Sequence, residues 1–315
     1  MKRIRAVVVG VGSMGRNHAR VLSAMEDVEL VGVVDSAEGS AAAVAKATGT
    51  VAFTDLESLP EVDFAVVAVP TVAHMPVAET LIQRGVSVLV EKPLAPLPED
   101  ADRLVDLAAR HGVLLATGHI ERFNPVVSAL TRLVREPRLM QFSRLSPYTP
   151  RIRESIVFDL MVHDLDLACL FAGGRPQHVS AGGVVVLSDT LDAASAVLTF
   201  SNGCVASVTS SRITQDKVRR ISISETERFF DADCLRQELS VKRETRGEFT
   251  AGAGYQQASV VEIPYLDRRA EPLALELRNV IDAIRGSAEL QVDGSAGADA
   301  VRLARAVEVL AAVGV

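Results

Sequence analysis

No stretch of this chain approaches the roughly 18 to 20 consecutive apolar residues that a bilayer requires, although 48% of its residues are apolar. Cysteine is scarce. Cys169, Cys204 and Cys234 are odd in number and lack metal-ligand spacing, which indicates reduced, buried thiols, with no disulfide framework and no zinc site. No internal repeat is present. Acidic residues outnumber basic ones, and the formal charge of -7 argues against a general nucleic-acid binder, because neutralising phosphates takes a basic surface. Met1-Lys2-Arg3 followed by the apolar Ile4 to Val9 mimics a signal peptide only briefly, since the run is short and passes straight into glycines. A soluble, cytoplasmic protein with no membrane partner is expected. Its 315 residues exceed what one hydrophobic core usually organises, so two domains are predicted.

The first third alternates strand and helix signals. Ile4 to Val9 is a continuous β-branched run, typical of a strand covered on both faces of a parallel sheet. Met14 to Met25 then repeats apolar residues at helical spacing. Further strands are predicted at Glu29 to Val34, Phe64 to Val69, Val86 to Val90 and Val113 to Ala116, with helices near Ala73 to Arg84 and Pro98 to His111. This order implies a doubly wound parallel sheet, an α/β Rossmann domain over residues 1–120.

Between the first strand and its helix stands Gly10-Val11-Gly12-Ser13-Met14-Gly15. Gly10 suits the tight turn, Gly12 lets backbone approach a pyrophosphate, and Gly15 lets the helix pack on the strand while its N-terminus faces the phosphates. Ser13 and Met14, inside the loop, are counted with them as cofactor-binding. Asp35, 20 residues beyond Gly15, can accept hydrogen bonds from ribose hydroxyls and would repel a 2′-phosphate, and no Arg or Lys follows until Lys46. NAD is therefore expected rather than NADP. Pro70, Thr71 and His74 after the strand Phe64 to Val69, and Glu91 and Lys92 after the strand Val86 to Val90, are expected to line the same cofactor crevice. His74 is equally open to a packing role at a helix start.

Strict alternation ends at Gly118-His119-Ile120-Glu121-Arg122-Phe123-Asn124-Pro125, which puts the domain boundary near residue 120 and assigns 121–315 to a second domain. Ser155 to Ala172 reads as a buried helix, apolar almost all round. At about 100° per residue Asp159, His163 and Asp166 form one polar stripe on it, with Asp164 pointing away. Two acids and an imidazole inside an apolar helix are costly without a purpose. The period then becomes two. Asp192 to Phe200 and Cys204 to Ile213 are joined by Ser201-Asn202-Gly203, a hairpin signal, and Arg219 to Glu225, Glu227 to Cys234 and Gln237 to Arg243 continue an antiparallel meander. Glu244 to Gln257, with its glycines and charges, reads as a mobile loop. Helices at Leu273 to Arg285 and Ala298 to Ala312 close an α+β domain with a largely antiparallel, open sheet. One face of that sheet is free for a partner subunit, so a homodimer or homotetramer is expected.

The Gly10, Gly12, Gly15 fingerprint, Glu91-Lys92-Pro93 and the pair Asp159 and His163 together resemble the Gfo/Idh/MocA oxidoreductases over the whole chain. That resemblance implies that Lys92, Asp159 and His163 form the catalytic set. More narrowly, residues 118–125 and Phe158 to Asp166 are similar to the branch that oxidises the 3-hydroxyl of UDP-N-acetylglucosamine. The implied chemistry is alcohol oxidation: His163 takes the hydroxyl proton, Asp159 orients the imidazole and Lys92 stabilises the alkoxide. An equally open assignment makes Lys92 the base. Asp159 and His163 are counted with the substrate-binding residues. Arg122, Asn124, Arg151 and Arg153 join them, because arginine forks suit phosphate oxygens; ordinary salt bridges at the domain junction are the competing account. Two other functions stay open: oxidation of a free polyol such as an inositol, and non-catalytic NAD or sugar binding by a regulator.

Overall fold

Buried β-branched runs and amphipathic helices take turns along the first part of the chain, as the pattern demands. The computed structural model describes residues 2–150, 154–250, 254–267 and 271–312, with 244–250 and 254–259 described in backbone only. In order come β1 (Ile4–Val9), α1 (Ser13–Ser23), β2 (Val28–Val34), α2 (Glu38–Thr48), β3 (Val51–Phe53) and β4 (Phe64–Val67). A 3₁₀ turn (Thr71–Ala73) leads to α3 (His74–Gln83), β5 (Ser87–Glu91), α4 (Pro98–His111), β6 (Leu115–Gly118) and a second 3₁₀ turn (Ile120–Phe123). Then follow α5 (Pro125–Leu133), β7 (Leu139–Leu145), a π-helical turn (Val157–Met161) and α6 (Val162–Ala172). Strands β8 (His178–Val184), β9 (Ala193–Thr199), β10 (Val205–Ser211), β11 (Val218–Ser224), β12 (Arg228–Asp233), β13 (Glu238–Thr250) and β14 (Gly254–Glu262) precede α7 (Pro272–Ile284) and α8 (Gly294–Ala312). None of the described helices is long and apolar enough to cross a membrane.

The chain divides into two units, Met1–Phe123 with Ala270–Arg302, and Asn124–Arg269 with Leu303–Val315. In the first unit the sheet runs β3-β2-β1-β4-β5-β6, every pair parallel, the doubly wound order expected from the sequence. Parallel strands put their carboxyl ends on one edge. Gly10, Asp35, Pro70, Lys92 and His119 therefore all follow strands on that edge. The core joins Ala6, Val8, Phe64, Val66 and Leu89 of the sheet to Val21 and Leu22 of α1.

Helix α7 belongs to this unit, whereas the sequence had placed everything after residue 120 in the second domain. Its stripe of Leu273, Leu277, Val280 and Ile281 completes the same core. Arg278 grips Asp27 in front of β2 at 2.7 Å, and Arg285 bonds the same carboxylate. Apolar spacing predicted the helix correctly but carries no address for the core it joins.

The second unit is built on a mixed sheet of order β14-β13-β12-β11-β7-β10-β9-β8, antiparallel except between β7 and β10. The hairpin predicted at Ser201-Asn202-Gly203 joins β9 to β10, with Gly203 at φ +81°. Strand β7, in the middle of the sheet, escaped the sequence reading. Its inward positions hold Met140, Phe142 and Arg144, and the arginine breaks an otherwise regular apolar alternation.

The expected mobile loop from Glu244 to Gln257 is corrected: residues 244–250 continue β13 and residues 254–257 open β14, which pair antiparallel. Residues 251–253 lie outside the described residues. A register shift between Thr245 and Glu248 interrupts the alternation that would have betrayed the strands. Charges and glycines also suit a ribbon whose last strand is the sheet edge. Ser155 to Ala172 is helical as expected, but its first part is the π turn rather than α-helix.

Candidate active site

Two of the three loop glycines are forced by the protein itself. Gly10 sits at φ +85°, and a Cβ there would lie 2.6 Å from the Ala68 carbonyl oxygen. A Cβ at Gly15 would fall 1.8 Å from the Gly10 oxygen, so only glycine lets α1 seat on β1. Gly12 differs. A Cβ built on it meets no described atom within 4 Å, so the space beside the start of α1 is open. The first N–H groups of a helix lack intrahelical acceptors and draw anions. Exposed Gly12 and Ser13, with half-buried Met14, thus border ground that fits a pyrophosphate. Asp35 closes this loop from β2: its carboxylate accepts the N–H of Val11 and that of Ala37, each at 2.9 Å. A carboxylate held at the end of β2 has the chemistry to accept hydrogen bonds from ribose hydroxyls.

After β4, Pro70 is exposed and Thr71 half-buried, while His74 is buried with its ring between the carbonyl oxygens of Pro93 and Val69, at 2.8 and 3.0 Å. It ties the loop after β4 to the loop after β5, so packing is the role its surroundings give it.

Glu91 ends β5 with its carboxylate turned inward. The Nε2 of His18, on α1, lies 2.7 Å from Glu91 Oε1, and the backbone N–H of Lys92 donates to Oε2 at 3.2 Å. Burial pushes the Glu91 carboxyl up, but the His18 hydrogen bond and the neighbouring positive charge more than offset it, and the group ionises below the ordinary glutamate range. Lys92 itself is half-buried.

Behind this pair Glu276 of α7 is almost wholly buried, with no hydrogen-bond partner for either carboxylate oxygen among the described residues. Burial first, and the charge of Glu91 second, hold its proton on to well above the usual carboxylate range. A raised acid binds its proton in the folded state while the unfolded chain has released it, so stability falls as pH rises past about 4.5. Glu276→Gln is accordingly expected to raise the melting temperature at neutral and alkaline pH, the gain fading below about pH 4, where glutamate is protonated in both states. Thermal melts of both proteins across that range check this, and a gain independent of pH contradicts it.

In the second unit Asp159 stands in the π turn and His163 two residues into α6, both half-buried. Single π turns recur at functional sites because they re-aim side chains within a helix. Asp166 is buried on the same helix. Asp164, which the wheel turned away from the stripe, meets Arg144 of β7 in a two-pronged pair: Nε donates to Oδ2 at 3.0 Å and Nη2 to Oδ1 at 2.7 Å.

The proposed substrate residues divide. Arg122 donates to the Gln291 carbonyl at 2.9 Å on the surface of the first unit. Asn124 caps α5, its Oδ1 accepting the Val126 N–H and its Nδ2 donating to the Cys234 carbonyl. Arg151 and Arg153 lie outside the described residues.

His18, Arg144 and Glu276 were missed from sequence, although each had a signal. His18 shares a face of α1 with Gly15, Ala19 and Leu22, Glu276 lies between Leu273 and Val280 on α7, and Arg144 alternates with Met140 and Phe142. A polar residue on an inward position needs a partner.

Residues 4–119 match the family model described as the oxidoreductase family with NAD-binding Rossmann fold, and residues 134–229 match the Gfo/Idh/MocA C-terminal domain. The chain is 35% identical over 316 residues to UDP-N-acetylglucosamine 3-dehydrogenase of Acidithiobacillus ferrooxidans, spanning 99% of this chain and 98% of the relative. It is 26% identical to inositol 2-dehydrogenase of Rhizobium meliloti, over 96% and 95% of the two chains. The solved structure of the Acidithiobacillus enzyme aligns at a TM-score of 0.91 and 34% identity, covering 99% of each chain. Levoglucosan dehydrogenase, solved with NADH and levoglucosan, aligns at a TM-score of 0.85 over 100% and 98% of the chains. At 17% identity that is a likeness of fold. A similarity that runs through both units at 35% identity makes this chain a member of the Gfo/Idh/MocA family, an NAD-dependent dehydrogenase.

Proposed function

We propose that the protein oxidises the 3-hydroxyl of UDP-N-acetylglucosamine, or of a closely related nucleotide sugar, with NAD as the oxidant. The observation that carries this reading is the full-length 35% identity to a UDP-N-acetylglucosamine 3-dehydrogenase, against 26% to an inositol 2-dehydrogenase.

When bound, NAD supplies the hydride acceptor. Gly10, Gly12, Ser13, Met14 and Gly15 hold its diphosphate, Asp35 its adenosine ribose, and Pro70 and Thr71 border it. His163 accepts the proton of the reacting hydroxyl, Asp159 orients the imidazole, and the Lys92 ammonium stabilises charge growing on the hydroxyl oxygen. Arg122 and the pair Arg151 and Arg153 supply charge for a diphosphate that an acidic protein must bind locally. Asn124, spent on its cap, is assigned to the fold. The protein acts in the cytoplasm as a homodimer or homotetramer; exposed Leu139 and Val197 on the second unit's sheet motivate the self-association, which light scattering tests.

The direct experiment incubates the protein with NAD and UDP-N-acetylglucosamine. A coupled step that consumes NADH or aminates the ketone is needed, because alcohol oxidation by NAD is uphill at neutral pH. The expected product is lighter by two hydrogen atoms. Turnover of free inositol with silence toward every nucleotide sugar moves the assignment to polyols.

Cofactor choice has its own test. The wild type is expected to bind NAD well over NADP, and Asp35→Ser with Ser36→Arg to narrow or reverse that preference. Gly12→Val fills the open space beside α1 and is expected to abolish NAD binding in a calorimetric titration while the protein stays folded. Equal affinities of the wild type for the two cofactors contradict the role given to Asp35.

A further inference from the structure

His18 has no part in the chemistry above, yet its ring is fully buried at the heart of the first unit. It projects from α1, the helix whose first turn borders the open space at Gly12. Its Nε2 meets Glu91 Oε1 at 2.7 Å, and Glu91 Oε2 takes the backbone N–H of Lys92 at 3.2 Å. One rigid imidazole and one carboxylate thus connect the cofactor helix to the residue that carries the ammonium. The carboxylate has little freedom. Gly118, the register partner of Glu91 on β6, is so close that a Cβ there would stand 3.1 Å from Oε2. A buried imidazole-carboxylate pair is an expensive way merely to fill a core, since an apolar pair of the same volume generally packs as stably.

We propose, resting on the reading of Lys92 as a catalytic residue, that His18 is a positioning residue: it clamps Glu91 so that the Lys92 backbone keeps a fixed distance from α1 and from the cofactor α1 holds. Misplacing a reacting group by about 1 Å can cost on the order of a hundredfold in rate. The clamp is therefore worth its burial in turnover and contributes little to cofactor affinity.

The test compares His18→Leu, which keeps bulk and removes the donor, with His18→Gln, whose amide reaches Glu91 as the ring Nε2 does. Lys92→Met and the double variant with His18→Leu complete the set. In His18→Leu, kcat for UDP-N-acetylglucosamine is expected to fall about tenfold or more, with KM and the NAD dissociation constant within about twofold of wild type. His18→Gln is expected to restore most of kcat. The double variant is expected to be no slower than Lys92→Met alone, because His18 acts through Lys92. Hydrogen exchange of the Lys92 amide, measured without cofactor or substrate, is expected to quicken in the Leu variant and stay slow in the Gln variant, and this readout stands even where the wild type leaves UDP-N-acetylglucosamine untouched. Should the Leu variant fail to fold, His18→Asn, whose amide falls short of Glu91, carries the same expectations.

Equal loss of kcat in the Leu and Gln variants, a further fall in the double variant, or unchanged Lys92 exchange overturns the positioning role. Wild-type kcat in His18→Leu beside an inactive Lys92→Met overturns it alone. Near-native turnover in Lys92→Met, with His18 intact, instead overturns the catalytic reading of Lys92 and takes the positioning role with it.

Discussion

Lys92→Ala lowers turnover by about a hundredfold or more, and His163→Ala does the same, while both variants still bind NAD; this is the largest functional effect expected for the protein. Neither side chain belongs to the glycine loop or to Asp35, which hold the cofactor in the proposed reading, so the loss falls on the chemical step. A positioned base contributes on the order of 10² to 10⁴ in rate, and a cation facing a developing oxyanion a similar amount. Asp159→Asn is expected to be milder, since the amide can still orient an imidazole but no longer supports its charge. Steady-state kinetics beside calorimetric NAD titration separate the two effects. If His163 is the base, its loss also removes a limb of the pH-rate profile that Lys92→Ala leaves in place, whereas the reverse outcome gives the proton to Lys92. Near-native turnover in both variants sinks the mechanism.

A large effect on stability is expected at Arg144 and Asp164. Both side chains are 3% exposed, and their two parallel bonds join β7 to the helix that carries His163. Removing one partner leaves the other charge buried and unpaired, which costs about 3 to 5 kcal/mol. For a unit of this size that lowers the melting temperature by roughly 10 °C. Asp164→Ala and Arg144→Ala are each expected to show this loss, whereas Arg144→Met combined with Asp164→Leu recovers most of it, because the desolvation cost disappears with both charges. Thermal and urea unfolding of the three variants measures the difference. Single variants within about 1 kcal/mol of wild type, as for an exposed ion pair, contradict the expectation.

The residues proposed for the site were legible where their signals are local. The β-branched run, the glycines and the helix behind them are contiguous from Ile4 to Ser23, and the close contacts that select Gly10 and Gly15 come from the immediate return of α1 onto β1. Asp35 and Lys92 were singled out by the same logic, and each directly follows a strand whose apolar character is plain. The stretch from Glu244 to Gln257 was misread for the opposite reason. Its register shift destroys the period of two, and only pairing across β13 and β14 identifies it as strand.

The sequence by itself determined the parallel, doubly wound character of the first sheet and the glycine turn between β1 and α1, since backbone sterics and apolar periodicity act within a few residues of one another. His18, Arg144 and Glu276 were recognised as inward-facing only in the folded structure. What each meets there was decided by the tertiary structure alone. Glu91 is 73 residues from His18 and Asp164 is 20 from Arg144, and α7 returns from beyond residue 270 to join the core that includes β1 and β4. Periodicity reports the side of an element on which a residue lies. The partner on that side depends on which other element buries its own apolar face there, and that choice belongs to the packing of the whole unit.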